Sequence, residues 1–141
     1  MVQPAVLRLI DANGNRVLEG LRVCEDIVRF HLVTPQEFRR LRALRHAVAN
    51  SLNQLPARPS ELLRSRASAR DIGRDAPATA VDSLERLLLI NFQRVKESLR
   101  VLEECARIIA PRRTADFQAL RFRTYIVERN VILRLATLRH H

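Results

Sequence analysis

One stretch of this chain occurs twice. Residues 13–26 and residues 91–104 align without gaps and share the pattern N-x-x-R-V-x-E-x-L-R-V-x-E-[DE]. Arg29 and Arg107 extend the match further. A repeat of this length indicates an internal duplication, so the fold is predicted to consist largely of two similar halves.

A second match shows how large the duplicated unit is. Ala43-Leu44-Arg45 recurs as Ala119-Leu120-Arg121, at nearly the same offset as the first pair of segments. The chain has only 3 glycines, and its long stretches of Leu, Ala, Arg and Glu are typical of helices rather than of a doubly wound sheet. The duplicated unit is therefore predicted to be a helical hairpin. Two such hairpins make an all-α, pseudo-twofold four-helix bundle.

The predicted boundaries rest on helix start and stop signals. The chain is one domain, with repeat A at about 9–54, a connecting loop at about 55–79 and repeat B at about 80–138. The first helix is predicted to begin at an Asp11 N-cap and the second at Thr34, while Thr79 and Asp82 form a capping box for the third. The predicted core of the last helix is Leu120, Tyr125, Val127, Val131, Leu135 and Leu138.

Two polar pairs fall where these helices are otherwise apolar. At about 100° per residue, Asn13 and Arg16 lie within the apolar arc of the first copy, and Asn91 and Arg94 do so in the second. An unpaired polar group on an inward face is costly, so these side chains need partners. Two interpretations stay open, a structural network of arginines and carboxylates or a ligand bound from both halves.

The charge balance narrows the classes of partner. The formal net charge is +10, and Lys96 is the only lysine, so nearly all the basic residues are arginines. Nucleic acid is the first partner to consider, but the arginines are scattered and no aromatic residues are interleaved for base stacking. Arginine also binds phosphate in a bidentate manner, so a small phosphorylated ligand suits the composition equally well.

Other features argue against a membrane or secreted protein. No apolar run reaches the length of a transmembrane helix, and the start of the chain lacks the charged segment of a signal peptide. Cys24 and Cys105 fall at similar positions of the two repeats, on apolar faces. They are predicted to be buried thiols in a reducing, cytoplasmic compartment.

The connecting loop contains a second set of candidate site residues. Its phosphate-compatible donors include Arg66 and Arg70, and Asp71 and Asp75 lie on either side of Gly73. Carboxylate oxygens are what Mg²⁺ prefers, usually one or two together with substrate phosphates. A solvated basic loop is the simpler interpretation. No nucleotide-binding, zinc or serine-nucleophile motif is present, so phosphoryl transfer and passive phosphate binding both remain open.

Taken together, these motifs resemble one small family. Leu9 to Asn13, Arg16 to Glu25, Arg70 to Asp75 and Asn91 to Glu104 are similar to the hydroxymethylpyrimidine-phosphate kinases, found alone or fused ahead of thiamine-phosphate synthase. No synthase segment follows, as expected of the free-standing form. The resemblance implies ATP-dependent phosphorylation of 4-amino-5-hydroxymethyl-2-methylpyrimidine phosphate in thiamine biosynthesis, with Mg²⁺ as cofactor and a functional link to thiamine-phosphate synthase.

The resemblance leads to a hypothesis for the site. Phosphates are expected to bind in one central cavity between the Asn/Arg pairs of the two copies, with Arg70 and Arg66 closing over the transferred phosphate. Asp71 and Asp75 are expected to hold the metal. Glu19 and Glu97 are expected to orient the arginines or hold the aminopyrimidine, and Arg22 and Arg100 are further candidates for binding the substrate or its phosphate.

Two rival functions follow from the same residues. One is a basic helical module that binds nucleic acid without catalysis, and the other is a binder of the pyrimidine phosphate that does not transfer phosphate. The sequence leaves the oligomeric state open, including a homo-oligomer.

Overall fold

The computed structural model describes residues 2–66, 71–76 and 80–139. Within these ranges the chain is all-α and contains no strand, as predicted. Its helices are α1 (Pro4–Ile27), α2 (Pro35–Asn53), α3 (Pro59–Ser65), α4 (Leu84–Ile109) and α5 (Thr114–Arg139), with a π-helical turn at Val28–Leu32 and a 3₁₀ turn at Pro111–Arg113.

The two long repeat helices, α1 and α4, pack against each other in antiparallel fashion at the centre of the bundle. A Cβ atom on Gly20 would lie 2.8 Å from a methyl carbon of Val95, and the Sγ atom of Cys24 is 3.8 Å from the carbonyl oxygen of Leu88. Later residues of α1 therefore contact earlier residues of α4, which shows that the two helices are antiparallel. Helix α2 packs on α1, α5 packs on α4, and α2 and α5 contact each other.

The predicted duplication of a whole hairpin is confirmed by matching ion pairs. Arg45 on α2 donates two hydrogen bonds to Glu25 on α1, at 2.7 and 3.2 Å. In the second half Arg121 on α5 donates to Glu103 on α4, at 3.2 and 3.4 Å. Both glutamates are buried. The same carboxylate–guanidinium contact therefore joins the two helices of each hairpin.

The first helix begins earlier than predicted. It starts at Pro4, in the first helical position, and buries Val6, Leu7 and Ile10. Asp11 is therefore not an N-cap, because it lies inside α1. The prediction missed the signal of a proline followed by apolar residues at helical spacing.

Helix α4, which is the third helix of the sequence prediction, begins later than predicted, at Leu84. Its N-cap is Ser83, whose hydroxyl accepts a hydrogen bond of 3.1 Å from the backbone N–H of Arg86. Residues 80–82 are not helical, so the capping box with Asp82 was wrong. Its other member, Thr79, lies outside the described residues.

The second helix begins at Pro35 with Thr34 as N-cap residue, as predicted, but the Thr34 hydroxyl caps nothing. Its oxygen is buried without a hydrogen-bond partner in the described structure. Val33, just before it, has a φ of 52°, a left-handed conformation that is strained for a β-branched residue. The chain thus leaves the π-helical turn and enters α2 through a strained connection.

In the last helix the predicted core is only partly correct. Leu120, Val127, Val131 and Leu135 are buried, together with Phe117. Tyr125 and Leu138, which were also predicted to be buried, are exposed by 40% and 50%. Helix α5 therefore has apolar side chains on its outer side as well as on its inner side.

Candidate functional site

A cavity lies between α1 and α3. Its volume is about 640 Å³, and one wall is the first half of α1. The end of α3 and Asp71 from the connecting segment close the other side. The lining residues are Ala5, Arg8, Leu9, Asp11, Ala12, Asn13, Arg16, Ser65, Arg66 and Asp71.

An ion pair fixes the end of α3 over this cavity. Arg66 donates from Nε and Nη2 to the two carboxylate oxygens of Asp11, at 2.7 and 2.9 Å. The hydrogen bond to Asp11 raises the pKa of the Arg66 guanidinium. Such a bidentate pair has a defined geometry. The site thus joins residues 55 positions apart in the chain.

Asn13 is buried at the inner end of the cavity, as predicted for an inward residue. Its Nδ2 donates to the carbonyl oxygen of Leu9 at 2.9 Å, and its Oδ1 accepts a hydrogen bond of 3.4 Å from Nη1 of Arg16. Residues of α1 itself therefore satisfy much of the hydrogen-bonding capacity of the Asn13 side-chain amide. Arg16 is exposed rather than inward, because it lies about 100° from the centre of the buried face of α1.

The asparagine of the second copy makes the same backbone hydrogen bond as Asn13, but it does not line the cavity between α1 and α3. Asn91 is buried and donates to the carbonyl oxygen of Leu87 at 2.8 Å, while Arg94 is exposed. The structure does not bring Asn91 and Arg94 into the cavity that Asn13 and Arg16 line, and a single cavity shared by both copies stays a prediction. The roles assigned to these residues stay predictions.

Four further candidates lie in two smaller cavities related by the repeat. Glu19 and Arg22 line a cavity of about 420 Å³ between α1 and α2. Glu97 and Arg100 line about 430 Å³ between α4 and α5. Both arginines form ion pairs on their own helices, with Asp26 in the first repeat and with Glu103 and Glu104 in the second. These contacts favour a structural role for Arg22 and Arg100.

The predicted metal ligands are only partly brought together. Asp71 lines the large cavity and accepts a hydrogen bond of 2.9 Å from the backbone N–H of Gly73 through Oδ1. Asp75 is exposed and does not line the cavity, and Arg70 lies outside the described residues. No group of three or more His, Cys, Asp and Glu that could hold a metal occurs in the described part of the chain. Asp71 fits Mg²⁺ as a single carboxylate ligand beside substrate phosphates.

Several lining residues were missed from the sequence. Arg8, Leu9 and Ala5 belong to the segment predicted to precede the first helix, and their helical continuation places them beside Ala12. Arg8 has no ion-pair partner among the described residues. The missed signal was again the start at Pro4.

The cavity combines basic groups with apolar ones. Arg8 and Arg16 supply positive charge without a carboxylate partner among the described residues, and Leu9 supplies an apolar side chain that is 45% exposed. This suits a ligand that has an anionic group and an apolar part. The thiols take no part, since Cys24 and Cys105 are free and buried, and desolvation raises the pKa of both.

A protein-family model matches most of this chain. The model of the ThiD2 family matches residues 8–130, which include most of the α1 wall of the cavity and both copies of the repeated segment, 13–26 and 91–104. The chain belongs to the ThiD2 family.

The curated relatives of this family member are longer proteins. The chain is 35% identical over 134 residues to a thiamine-phosphate synthase of Nostoc sp. (strain PCC 7120), with 93% of the chain and 36% of the relative covered. It is 38% identical over 128 residues to a thiamine-phosphate synthase of Synechococcus sp. (strain CC9605), with 90% and 35% covered. The chain thus spans about a third of the length of these relatives.

Neither a solved structure nor a membrane-spanning helix adds to this assignment. No solved structure matches the chain. Among the described residues, no helix has the combination of length and apolar character that crossing a membrane requires.

Proposed function

We propose that this ThiD2 family member is a hydroxymethylpyrimidine-phosphate kinase of thiamine biosynthesis. It transfers the terminal phosphoryl group of ATP to 4-amino-5-hydroxymethyl-2-methylpyrimidine phosphate and forms the diphosphate. The relatives named thiamine-phosphate synthase support a role in this pathway. The observation that supports the kinase step is the cavity between α1 and α3.

The cavity suits this substrate in size and in chemistry. A volume of about 640 Å³ is within the ordinary range for small-molecule sites. The apolar side chains of Ala5, Leu9 and Ala12 provide a surface for the pyrimidine ring. Arg8 and Arg16 are available for its phosphate, because no described carboxylate neutralises them.

The reaction asks little covalent chemistry of the protein. An oxygen of the substrate phosphate attacks the γ-phosphorus of ATP, the bond from that phosphorus to the β-phosphate oxygen breaks, and ADP leaves. A phosphate monoester has a second pKa of about 6, so the attacking oxygen is already anionic at neutral pH and needs no general base. Catalysis then depends on alignment and on stabilising negative charge.

Residues of the cavity are assigned roles on this basis. Arg16 and Arg8 bind the substrate phosphate and the transferred group, and Arg66 closes the cavity from the α3 side, oriented by Asp11. Asp71 is the described residue suited to hold Mg²⁺, which supplies charge neutralisation between the phosphates when bound. Asn13 acts by orienting Arg16, to which it already accepts a hydrogen bond.

The test is a turnover assay with Mg-ATP and the pyrimidine phosphate, in which the diphosphate is detected as thiamine phosphate after adding thiazole phosphate and a synthase. The expected result is product formation that depends on the chain and on ATP. The unphosphorylated pyrimidine serves as the control acceptor.

Other outcomes identify the rival functions. No product, together with a raised thermal midpoint in the presence of the pyrimidine phosphate, would identify a binder without transferase activity. Neither product nor stabilisation, with tight and salt-sensitive RNA or duplex binding, would identify the nucleic-acid module.

A further inference from the structure

The outer face of α5 is apolar where the bundle does not need it to be. Phe122, Ile126 and Leu133 are exposed by 50%, 60% and 51%. Their spacing along the helix places them along one side, away from the buried residues of α5. The neighbouring side chains of Tyr125 and Ile132 widen the patch, being exposed by 40% and 36%. We call this set the α5 face.

The first repeat provides an internal comparison for the α5 face. The offset that aligns Arg45 with Arg121 places His46 and Asn50 of α2 at the positions of Phe122 and Ile126. Both α2 residues are polar and exposed. The same hairpin is therefore built with a polar outer face in one half, so the hairpin fold does not explain the apolar face in the other. Exposed apolar patches of this kind mark interaction sites.

The charges around the α5 face indicate what kind of partner fits it. Arg123, Arg129 and Arg134 are exposed on the same helix. The acidic residues of α5 are both engaged, Glu128 with Lys96 at 2.9 Å and Asp116 with Arg113 at 3.6 Å. A second copy of this chain, with a formal charge of +10, would bring arginines against arginines. The complementary partner is an apolar surface with an acidic rim.

The curated relatives indicate which protein could be this partner. In them the region matching this chain is joined to further sequence that makes up about two thirds of the protein, and their name is thiamine-phosphate synthase. A helical region in the same chain as a synthase has a surface in reach of it at high effective concentration.

From these observations we propose that the α5 face docks onto a thiamine-phosphate synthase through an apolar contact with an acidic rim. This rests on the proposed role in thiamine biosynthesis. No residue of α5 lines the cavity between α1 and α3, so docking leaves that cavity open. The product of the proposed kinase reaction would then be released beside the enzyme that consumes a pyrimidine diphosphate.

The test is isothermal titration calorimetry of the 141-residue chain with a thiamine-phosphate synthase of the same organism that has no helical region of its own. The double variant F122H/I126N gives α5 the residues that α2 carries at the same positions, and is expected to weaken binding about 30-fold or more. Arg129→Glu is expected to weaken it as well. The matched control is H46A/N50A on α2, which should bind like the wild type.

The same variants separate this proposal from the proposed function. F122H/I126N should retain kinase turnover and the thermal midpoint, whereas Arg16→Ala should lose turnover and retain synthase binding. Binding without any kinase activity would remove the proposed function and leave the docking surface. Docking is refuted if the wild type does not bind the synthase, or if F122H/I126N binds it unchanged. Self-association of the wild type that F122H/I126N abolishes would assign the face to a second copy, and binding to anionic vesicles in place of the synthase would assign it to a membrane surface.

Discussion

The two repeats have the same scaffold but different surroundings. Asn13 and Asn91 are equally buried and donate to the carbonyl oxygen four residues earlier. Yet α1 carries α3 and the large cavity, whereas in the described structure no short helix packs on α4 at the equivalent positions. Leu89 of α4, the counterpart of Asp11, is 40% exposed.

This difference separates what the duplication supplies from what the insertion supplies. The repeated residues build the hairpins and fix one buried asparagine in each half. The connecting segment, which has no repeat counterpart, adds Arg66 and Asp71 to only one of the two copies. The candidate site is therefore asymmetric, and pairs of equivalent substitutions in the two halves test that directly.

The largest effect is expected for the repeated arginines. Arg16→Ala should lower kcat/KM about 100-fold or more, because it removes a charged donor to the transferred phosphate. Arg94→Ala should cost only a few-fold, since Arg94 does not line the cavity between α1 and α3. Steady-state kinetics on both variants, with thermal midpoints as the folding control, makes the comparison. Equal decreases of kcat/KM in the two variants would instead support a single site shared by the two repeats.

The next effect concerns the ion pairs inside the hairpins. Arg45→Ala leaves Glu25 buried without its guanidinium, and should lower the free energy of unfolding by about 3 kcal/mol. Arg121→Ala should cost about 1 kcal/mol, because Glu103 keeps a 2.9 Å contact with Arg100.

Urea denaturation of the two variants measures this difference. The double variants Glu25→Gln/Arg45→Ala and Glu103→Gln/Arg121→Ala are the controls, because they remove the stranded charge. If Arg121→Ala proved the more destabilising of the two, the contact between Arg100 and Glu103 would not compensate for the loss of Arg121.

A smaller effect is expected at the crossing of α1 and α4. Gly20→Ala would place a Cβ 2.8 Å from a Val95 methyl carbon, and should destabilise the protein by about 1–2 kcal/mol. In an exposed helix the same change stabilises by up to about 1 kcal/mol. Gly14→Ala meets the Leu52 side chain at 3.3 Å and should be close to neutral. Thermal unfolding reports the sign, and stabilisation by Gly20→Ala would contradict the close packing.

Much of the fold follows from the sequence, because the repeat and the helical periodicity are local signals. They gave the all-α class, the paired hairpins and the helix starting at Pro35. The predicted starts of α1 and α4 were wrong because each segment offers more than one possible start signal. For α1, the burial of Ile10 and its neighbours favours the earlier start at Pro4.

The site was harder to predict than the fold. Asp71 and Arg16, both candidates from the sequence, line one cavity, but the pairing of Asp11 with Arg66 spans 55 positions and depends on how α3 packs over α1. No periodicity encodes that contact. Arg16 and Arg94 were predicted to be inward but are exposed, because a helical wheel locates the edge of the packed face only to within about one residue.

The smallest predicted effect tests the contact that makes the first repeat different. Asp11→Asn keeps the size of the side chain but removes the charge that orients Arg66. If Arg66 acts from that fixed position, KM for the pyrimidine phosphate should rise several-fold, while kcat changes less, because the substrate phosphate meets a less ordered guanidinium. Leu89→Asn in α4 is the matched control and should leave both constants unchanged. A lower KM in Asp11→Asn would mean the opposite, that Asp11 competes with the substrate phosphate for Arg66 and that the ion pair holds the cavity closed until substrate breaks it.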